Sequence, residues 1–246
     1  MFKKLAIFLM VPVFSLSMVF NQSAYAEWYV GGAVGVVIPH TVDDLKSTGT
    51  FTMTSTGFDA ETAFVGGIKG GYFFESNPSL GVEVNWSTSA SDVDKEAVAL
   101  TITGTATGLG AGQATGDFLL SADVDSVSSF GFLAMLRATN EDAKAKYNGI
   151  QPFLGLGFTV STIDVNSATL FNTAGAQVGT TANSDSSTGA GFLLSAGLNY
   201  IVSDNIKVSS EYSFQTVEHT LTLDTNVNSE MTSDGSAVVF GASYSF

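Results

Sequence analysis

The chain holds few residues that could carry out chemistry in an enzyme. Its 246 residues include two histidines and no cysteine, which excludes disulfide bonds, thiolate metal sites and cysteine nucleophiles. His40 precedes Asp43 and Asp44, and His219 follows Glu218, so either histidine could form a His–carboxylate pair. No Gly-x-Ser-x-Gly motif accompanies them, and a histidine in a polar loop is more often an ordinary loop residue. We therefore predict no catalytic residues and no enzymatic activity.

Two Asp-x-Asp pairs are candidate cation ligands. Asp92-Val-Asp94 and Asp123-Val-Asp125 could offer oxygen atoms to Ca²⁺ or Mg²⁺, but the glycine turn and the bidentate glutamate of an EF-type loop are missing. A solvated acidic loop is the favoured interpretation. We predict no bound metal and no cofactor. Divalent ions shared with lipopolysaccharide phosphates remain an alternative use of these acids.

The composition is acidic and apolar at once. There are 9 Lys+Arg against 23 Asp+Glu, a formal net charge of −14, and 45% hydrophobic residues. Only 13% of the residues are charged, against about a quarter in soluble domains. A chain with so few basic residues is not expected to bind nucleic acid, because phosphates must be neutralised by Lys and Arg.

Eight segments alternate between large apolar residues and small or polar ones, which is the period of a β-strand. In the third segment, for example, Leu80, Val82, Val84 and Trp86 alternate with small or polar residues. The predicted strands cover residues 28–38, 62–74, 80–88, 130–138, 150–162, 188–201, 206–216 and 236–246.

Short and long connections alternate between these strands. Residues 75–79 and 202–205 form short connections, and 139–149 a moderate one, whereas the other four connections are long: 39–61, 89–129, 163–187 and 217–235. This alternation is typical of an up-and-down transmembrane barrel with short periplasmic turns and long extracellular loops. Hydrophobic–threonine alternation within the long loops indicates hairpins that continue beyond the membrane. If two of them crossed it, the barrel would have ten strands.

A secreted β-sandwich or a lipocalin-like barrel would also alternate. Its outer face would carry many charges, however, and the predicted strands carry few. The reverse arrangement places apolar residues against lipid and small or polar residues in the interior. A lipid-facing lysine near the membrane centre would cost about 2–4 kcal/mol, so Lys69 must face inward. Aromatic residues near the strand ends are typical of interfacial girdles.

The N-terminal residues have the form of a secretory signal. Lys3 and Lys4 precede an apolar stretch over 5–20, and Ala24-Tyr25-Ala26 is a small-x-small cleavage site. We predict a signal peptide over 1–26, cleavage before Glu27 and a barrel domain over 27–246. Loss of the two lysines leaves a net charge of −16. An uncleaved N-terminal anchor is the alternative.

An eight-stranded barrel leaves room for little except side chains in its interior. Because a buried charge needs a partner, we predict that the charged strand residues form one lumen network, joined by Asn85, Asn199 and Gln215. Its members are Lys69, Glu83, Arg137, Lys207 and Glu211. The network would act as a structural plug, or alternatively gate a narrow pore.

Several segments resemble small eight-stranded outer-membrane barrels of Gram-negative bacteria. They are 27–35, 151–158, 195–200 together with 211–214, and the final strand, whose Tyr244 and terminal Phe246 resemble the assembly signal of such barrels. The likeness is to opacity-type and surface-antigen families and to the transmembrane domain of outer-membrane protein A. It implies a monomer in the cell outer membrane, contacting lipid, lipopolysaccharide and the barrel-assembly machinery. The chain ends at the last barrel strand, so we expect no peptidoglycan-binding domain.

From this resemblance we expect a surface-exposed structural or interaction role, antigen-like or adhesin-like, in which the long loops contact a surface ligand or a host component. The alternative is a narrow channel for small solutes or apolar molecules.

Overall fold

The computed structural model describes residues 27–49, 51–54, 58–59, 61–90, 93–106, 110–172, 174–175, 177–181, 185–224 and 227–246. The predicted signal peptide, 1–26, lies outside them, so its cleavage stays a prediction. Within this part of the chain there are twelve strands and one helix. No helix in it is long and apolar enough to cross a membrane.

The strands follow one another in chain order with short interruptions. The element bounds are β1 Glu27–Gly49, β2 Phe51–Thr54, β3 Phe58–Asp59, β4 Ala63–Phe74, β5 Asn77–Ser89, β6 Val93–Ala106, β7 Gly110–Arg137, α1 Asn140–Lys146, β8 Ile150–Asn172, β9 Gln177–Thr181, β10 Asp185–Ile201, β11 Ile206–Asp224 and β12 Val227–Ser245.

Eight of the strands close into an antiparallel barrel. They pair in the order β1–β4–β5–β7–β8–β10–β11–β12, and β12 returns to β1. Each of these strands contains one of the eight predicted alternating segments. The eight-stranded up-and-down barrel is therefore confirmed, and the ten-stranded alternative is not adopted.

The long connections are mostly hydrogen-bonded strand rather than open loop. β7 and β8 stay paired as far as Phe118 and Asn172, and β1 and β12 as far as Gly49 and Val227. β2 and β6 add further pairs beside β1 and β7. The alternating Thr and apolar residues explain this, because they suit extended backbone on both sides of the sheet. We call this extended end of the barrel the hairpin end, and the opposite end the turn end.

The moderate connection at the turn end contains the helix α1, which the alternation pattern did not predict. Thr139 caps it, its hydroxyl accepting a hydrogen bond of 3.1 Å from the Asp142 N–H. The ion pair between Asp142 and Lys146, 2.7 Å apart, lowers the pKa of Asp142 and raises that of Lys146. Ala143 is fully buried against the barrel, so α1 packs over the turn end.

The apolar face of the barrel strands points outward, as the reversed arrangement requires. Leu156 and Phe158 on β8 are half exposed, and Phe64 on β4 is 86% exposed. A soluble barrel would bury such side chains, whereas a membrane barrel presents them to lipid.

Aromatic side chains gather near the turn end. Trp28 and Tyr72 lie with ring centroids 4.6 Å apart, Tyr72 and Phe74 at 5.6 Å, and Tyr244 and Phe246 at 5.2 Å. Tyr and Trp prefer the level of the lipid headgroups, so this belt marks one boundary of the membrane-spanning zone.

Leu156 lies near the middle of the lipid-facing part of β8, so Leu156→Arg should destabilise the barrel by about 2–4 kcal/mol. The measurement is equilibrium urea unfolding of the protein refolded in lipid vesicles. The control is Glu218→Arg, at an exposed position on β11 beyond the apolar zone, which should change the unfolding free energy little. Equal effects of the two variants would contradict the assignment of this face to lipid.

Candidate functional site in the barrel lumen

Small residues on the inward faces make room for a few large side chains that reach across the lumen. A Cβ atom on Gly71 would lie 2.5 Å from the Tyr29 ring, and one on Gly197 would lie 2.6 Å from the Phe153 ring. Real Cβ atoms do not approach so closely, so glycine at these positions allows each aromatic ring to lie over the neighbouring strand.

The central cluster consists of Tyr29, Lys69, Glu83, Ser195 and Glu211, contributed by five strands. The Lys69 Nζ lies 2.6 Å from Glu211 Oε2 and 3.7 Å from Glu83 Oε2. The Tyr29 hydroxyl donates to Glu83 at 2.5 Å, and the Ser195 hydroxyl donates to Glu211 at 2.6 Å. The Lys69–Glu211 pair joins β4 and β11, which are not neighbours in the barrel, and therefore crosses the lumen.

The turn-end cluster is built around Glu27, the first residue of β1. Arg137 donates two hydrogen bonds to the two Glu27 oxygens, at 3.0 and 2.5 Å. Lys207 donates to Glu27 Oε1 at 2.5 Å, and Ser245 to the same atom at 2.8 Å. Asn140, at the start of α1, donates to Glu27 Oε2 at 3.1 Å, which ties the helix to the strand.

Aromatic rings separate and support the charges. The Arg137 guanidinium lies 3.4 Å from the centroid of the Phe73 ring, and the Lys69 ammonium 5.5 Å from that of Phe153. Tyr29 stacks on Phe73 with centroids 5.7 Å apart. A cation over a ring face gains further attraction.

The formal charges of the two clusters are opposite. The central cluster has two carboxylates and one ammonium, and the turn-end cluster has one carboxylate with Arg137 and Lys207. The central cluster therefore has one excess negative charge and the turn-end cluster one excess positive charge. The formal charges of the two clusters sum to zero. Such pairing is what permits charges in a site with little water.

Two small cavities adjoin the central cluster. A cavity of about 20 Å³ lies between the two clusters and is bordered by Glu27, Lys69 and Glu83. A second of about 90 Å³ lies toward the hairpin end, bordered by Lys69, Glu211 and hydroxyl-bearing residues such as Ser129. Lys69 borders both, so the central cluster stands between the two spaces.

All five sequence-predicted lumen residues lie inside the barrel, but in two groups rather than one. Lys69, Glu83 and Glu211 form the central cluster, whereas Arg137 and Lys207 bind Glu27 instead. Of the three polar residues expected to join, Asn85 donates weakly to Glu83 at 3.5 Å, and Asn199 donates to Gln151 at 3.4 Å. Gln215 borders the larger cavity.

Sequence reasoning missed Glu27 and Tyr29, although both stand at odd positions of the first strand, the same face as its small residues. Their odd positions in the strand could have identified them as residues that face the lumen. The terminal aromatics lie at the turn end, where Tyr244 is half exposed and the Phe246 N–H donates to the Trp28 carbonyl at 2.9 Å. The assembly role of these two residues stays a prediction.

The described histidine is not paired with its neighbouring acid. His219 is 2% exposed and Glu218 is exposed, because successive residues of a strand point to opposite faces. Polar exposed residues flank His219, which places it beyond the apolar zone, and burial lowers its pKa. The side chains of His40, Asp43 and Asp44 lie outside the described part of the structure.

Among the side chains that the structure does describe, no three His, Asp or Glu come together as a metal site. Asp123 accepts a hydrogen bond of 3.4 Å from Asn166, and Asp125 is exposed. Asp92 and the side chain of Asp94 lie outside the description.

Removal of the Glu27 charge should destabilise the barrel, because Arg137 and Lys207 would then face each other without compensation. For Glu27→Gln we expect a loss of about 3–5 kcal/mol in unfolding free energy, measured by urea unfolding in lipid vesicles. The matched control is Glu75→Gln on the exposed turn between β4 and β5, expected to be neutral. If Glu27→Gln lost no more unfolding free energy than the control, Glu27 would not be the residue around which the turn-end cluster is built.

Among the solved structures that resemble this chain, three are described here, all at low identity. Neisserial surface protein A shares 16% identity and a TM-score of 0.44, covering 87% of this chain and 97% of that one. The outer membrane protein OprG from Pseudomonas aeruginosa shares 13% and 0.49, covering 90% and 96%. The attachment invasion locus protein of Yersinia pestis, solved with the heparin analogue sucrose octasulfate, shares 13% and 0.41, covering 89% and 99%.

Comparison with curated proteins finds no significant match. A family model for the outer membrane protein β-barrel domain, however, matches residues 6–246, nearly the whole chain. The closed barrel of eight strands, its apolar outer face and its polar interior agree with that match. The chain belongs to the outer membrane protein β-barrel domain family.

Proposed function

We propose that the protein is a surface-exposed interaction protein whose barrel serves as a closed scaffold, not as a channel. In this proposal the signal peptide is removed after export and the barrel stands as a monomer in the outer membrane. The turn end faces the periplasm and the hairpin end faces outward. The outer strands then present an antigen-like or adhesin-like surface to a ligand or host component.

The observation that carries the proposal is the central cluster. Its Lys69–Glu211 ion pair runs across the lumen, and the two side chains are 11% and 8% exposed. A hydrated ion would have to break this pairing in order to pass, and separating buried charges costs several kcal/mol. The cavity of about 20 Å³ beneath it has space for one water molecule or little more.

The extended hairpin end supports the interaction role. β8 continues twelve residues beyond Val160, a lipid-facing residue, to reach Asn172. At about 3.3 Å per residue, this is roughly 40 Å of strand. Paired strands hold such a surface in a defined shape, which lowers the entropy cost of binding compared with a flexible loop.

Lipid, lipopolysaccharide and the barrel-assembly machinery are the further partners that we propose. The half-exposed apolar belt fits lipid. Tyr244 and Phe246 would be the contact with the assembly machinery, since they close the last strand at the turn end. The acidity of the chain is unsuited to nucleic acid.

The test is conductance of the refolded protein in a planar lipid bilayer. We expect no steady, discrete openings from the wild-type protein, because the central cluster fills the lumen. The variant Lys69→Met/Glu211→Met, which replaces the ion pair with apolar side chains of similar length, should be equally silent. Protease resistance of both samples serves as the control for folding.

Discrete wild-type openings that disappear in Lys69→Met/Glu211→Met would contradict the closed scaffold. They would favour instead the narrow channel for small solutes or apolar molecules, with the central cluster as its gate.

A further inference from the structure

The larger lumen cavity, of about 90 Å³, exists because the inward residues at its level are small. Its wall includes Ala33 on β1, Ser213 on β11 and Ala237 on β12. Lys69 and Glu211 also border it, so the ion pair of the central cluster forms its floor. We call this cavity the chamber.

The chamber is suited to water. Hydroxyl and amide side chains from several strands border it, among them Ser87, Thr159 and Gln215. Empty cavities in proteins are apolar, whereas a cavity with several polar groups holds water that hydrogen-bonds to them. Since about 10–15 Å³ is enough for one water molecule, the chamber has room for several.

Two polar side chains of the wall would gain most from such water. No hydrogen bond joins the side chain of Ser213 or Gln215 to another residue in the described part of the chain, although both border the chamber. Neither is among the described polar groups that are at once inaccessible and unpartnered. Their polar atoms therefore face space that water can enter.

Beyond the chamber, toward the hairpin end, large apolar residues take the inward positions. Val127 on β7 and Val217 on β11 are the next inward residues after the chamber wall. Val37 on β1 and Ile163 on β8 occupy inward positions farther along their strands. We call these four residues the collar.

The stagger of the strands brings the collar residues to nearly one level. Pairing followed strand by strand around the barrel starts at Tyr29 and returns to β1 at Pro39, ten residues farther along. Shared evenly over eight strands, this stagger places the four collar residues within about three residues of one another along the barrel axis. Since β1, β7, β8 and β11 stand on different sides of the barrel, the collar surrounds the lumen.

The burial of the collar indicates that it closes the chamber on its outer side. Val217 is 1% exposed and Ile163 is 7% exposed, whereas an open lumen at this level would leave both in contact with water. A narrow apolar constriction excludes water, and with it dissolved ions.

We propose that the chamber is an internal site for a cluster of water molecules, closed below by the Lys69–Glu211 pair and above by the collar. The water hydrogen-bonds to Ser213 and Gln215. The lumen then has two closures of different chemistry, an ion pair and an apolar ring. The inference rests on the proposed closed scaffold and adds a second closure to it.

The test uses cysteine reactivity, because the chain has no cysteine of its own. Ser213→Cys places one thiol in the chamber, and Glu218→Cys places one at an exposed position of the same strand. The refolded barrels in lipid nanodiscs are treated with a permanently charged, water-soluble methanethiosulfonate. We expect Ser213→Cys to react roughly a hundredfold more slowly than Glu218→Cys, since reaction requires local opening.

Opening the collar should expose the chamber thiol. Added to Ser213→Cys, the pair Val217→Ala/Ile163→Ala should speed the reaction by about tenfold or more, because it widens the apolar constriction. The matched control is Val208→Ala/Leu156→Ala, which removes similar side chains from the lipid face of the same two strands and should leave the rate unchanged. Protease resistance shows which variants are folded.

A second measurement uses the wild-type protein and therefore does not depend on the folding of a variant. Nuclear Overhauser transfer from long-lived water should reach the side-chain amide of Gln215. The amide of Asn77, on the exposed turn between β4 and β5, should show no such transfer.

Three outcomes would overturn the proposal. Equal rates for Ser213→Cys and Glu218→Cys would show a chamber open to the outside. A folded collar variant with an unchanged rate would show that the collar is not the closure. Absence of transfer to Gln215 would show a chamber without bound water. Each leaves the closed scaffold standing as long as the wild-type protein shows no conductance, and wild-type conductance alone would remove the scaffold.

Discussion

Compensation of charge inside a narrow barrel is the constraint on which the rest of this structure depends. Eight strands leave a lumen that side chains must fill, and the two clusters within it hold six groups with a formal charge. Each carboxylate lies against a cation, and hydroxyls or amides satisfy the remaining oxygen atoms. The clusters have opposite net charge and lie one above the other, so neither could be removed without leaving the other unbalanced.

The same alternation that brings these charges together also separates the side chains that face the lumen from those that face lipid. Residues at odd positions of the barrel strands face the lumen, and residues at even positions face lipid. One rule therefore explains why the lysine in the middle of β4 faces inward and why a leucine on β8 is half exposed. Above the apolar belt the alternation persists between Thr and apolar residues. The strands therefore continue as a paired surface beyond the belt.

Much of the fold could be predicted from this pattern, because the period of two is local. The eight strands, the inward side of Lys69 and the continuation of the hairpins all follow from it. The division of the charges into two clusters could not, since it depends on the stagger between strands that brings Arg137 and Lys207 to the level of Glu27. Helix α1 lay outside the strand pattern, although Thr139 and the acids after it form a recognisable start.

The central claim is that Lys69 and Glu211 stabilise the barrel as a pair across the lumen. A double-mutant cycle of Lys69→Met and Glu211→Met, with unfolding free energies measured in lipid vesicles, tests it most directly. We expect each single variant to be clearly less stable than wild type and the double variant to recover much of the loss. The coupling energy should then be about 1–3 kcal/mol. Additive losses, with no recovery in the double variant, would contradict the account.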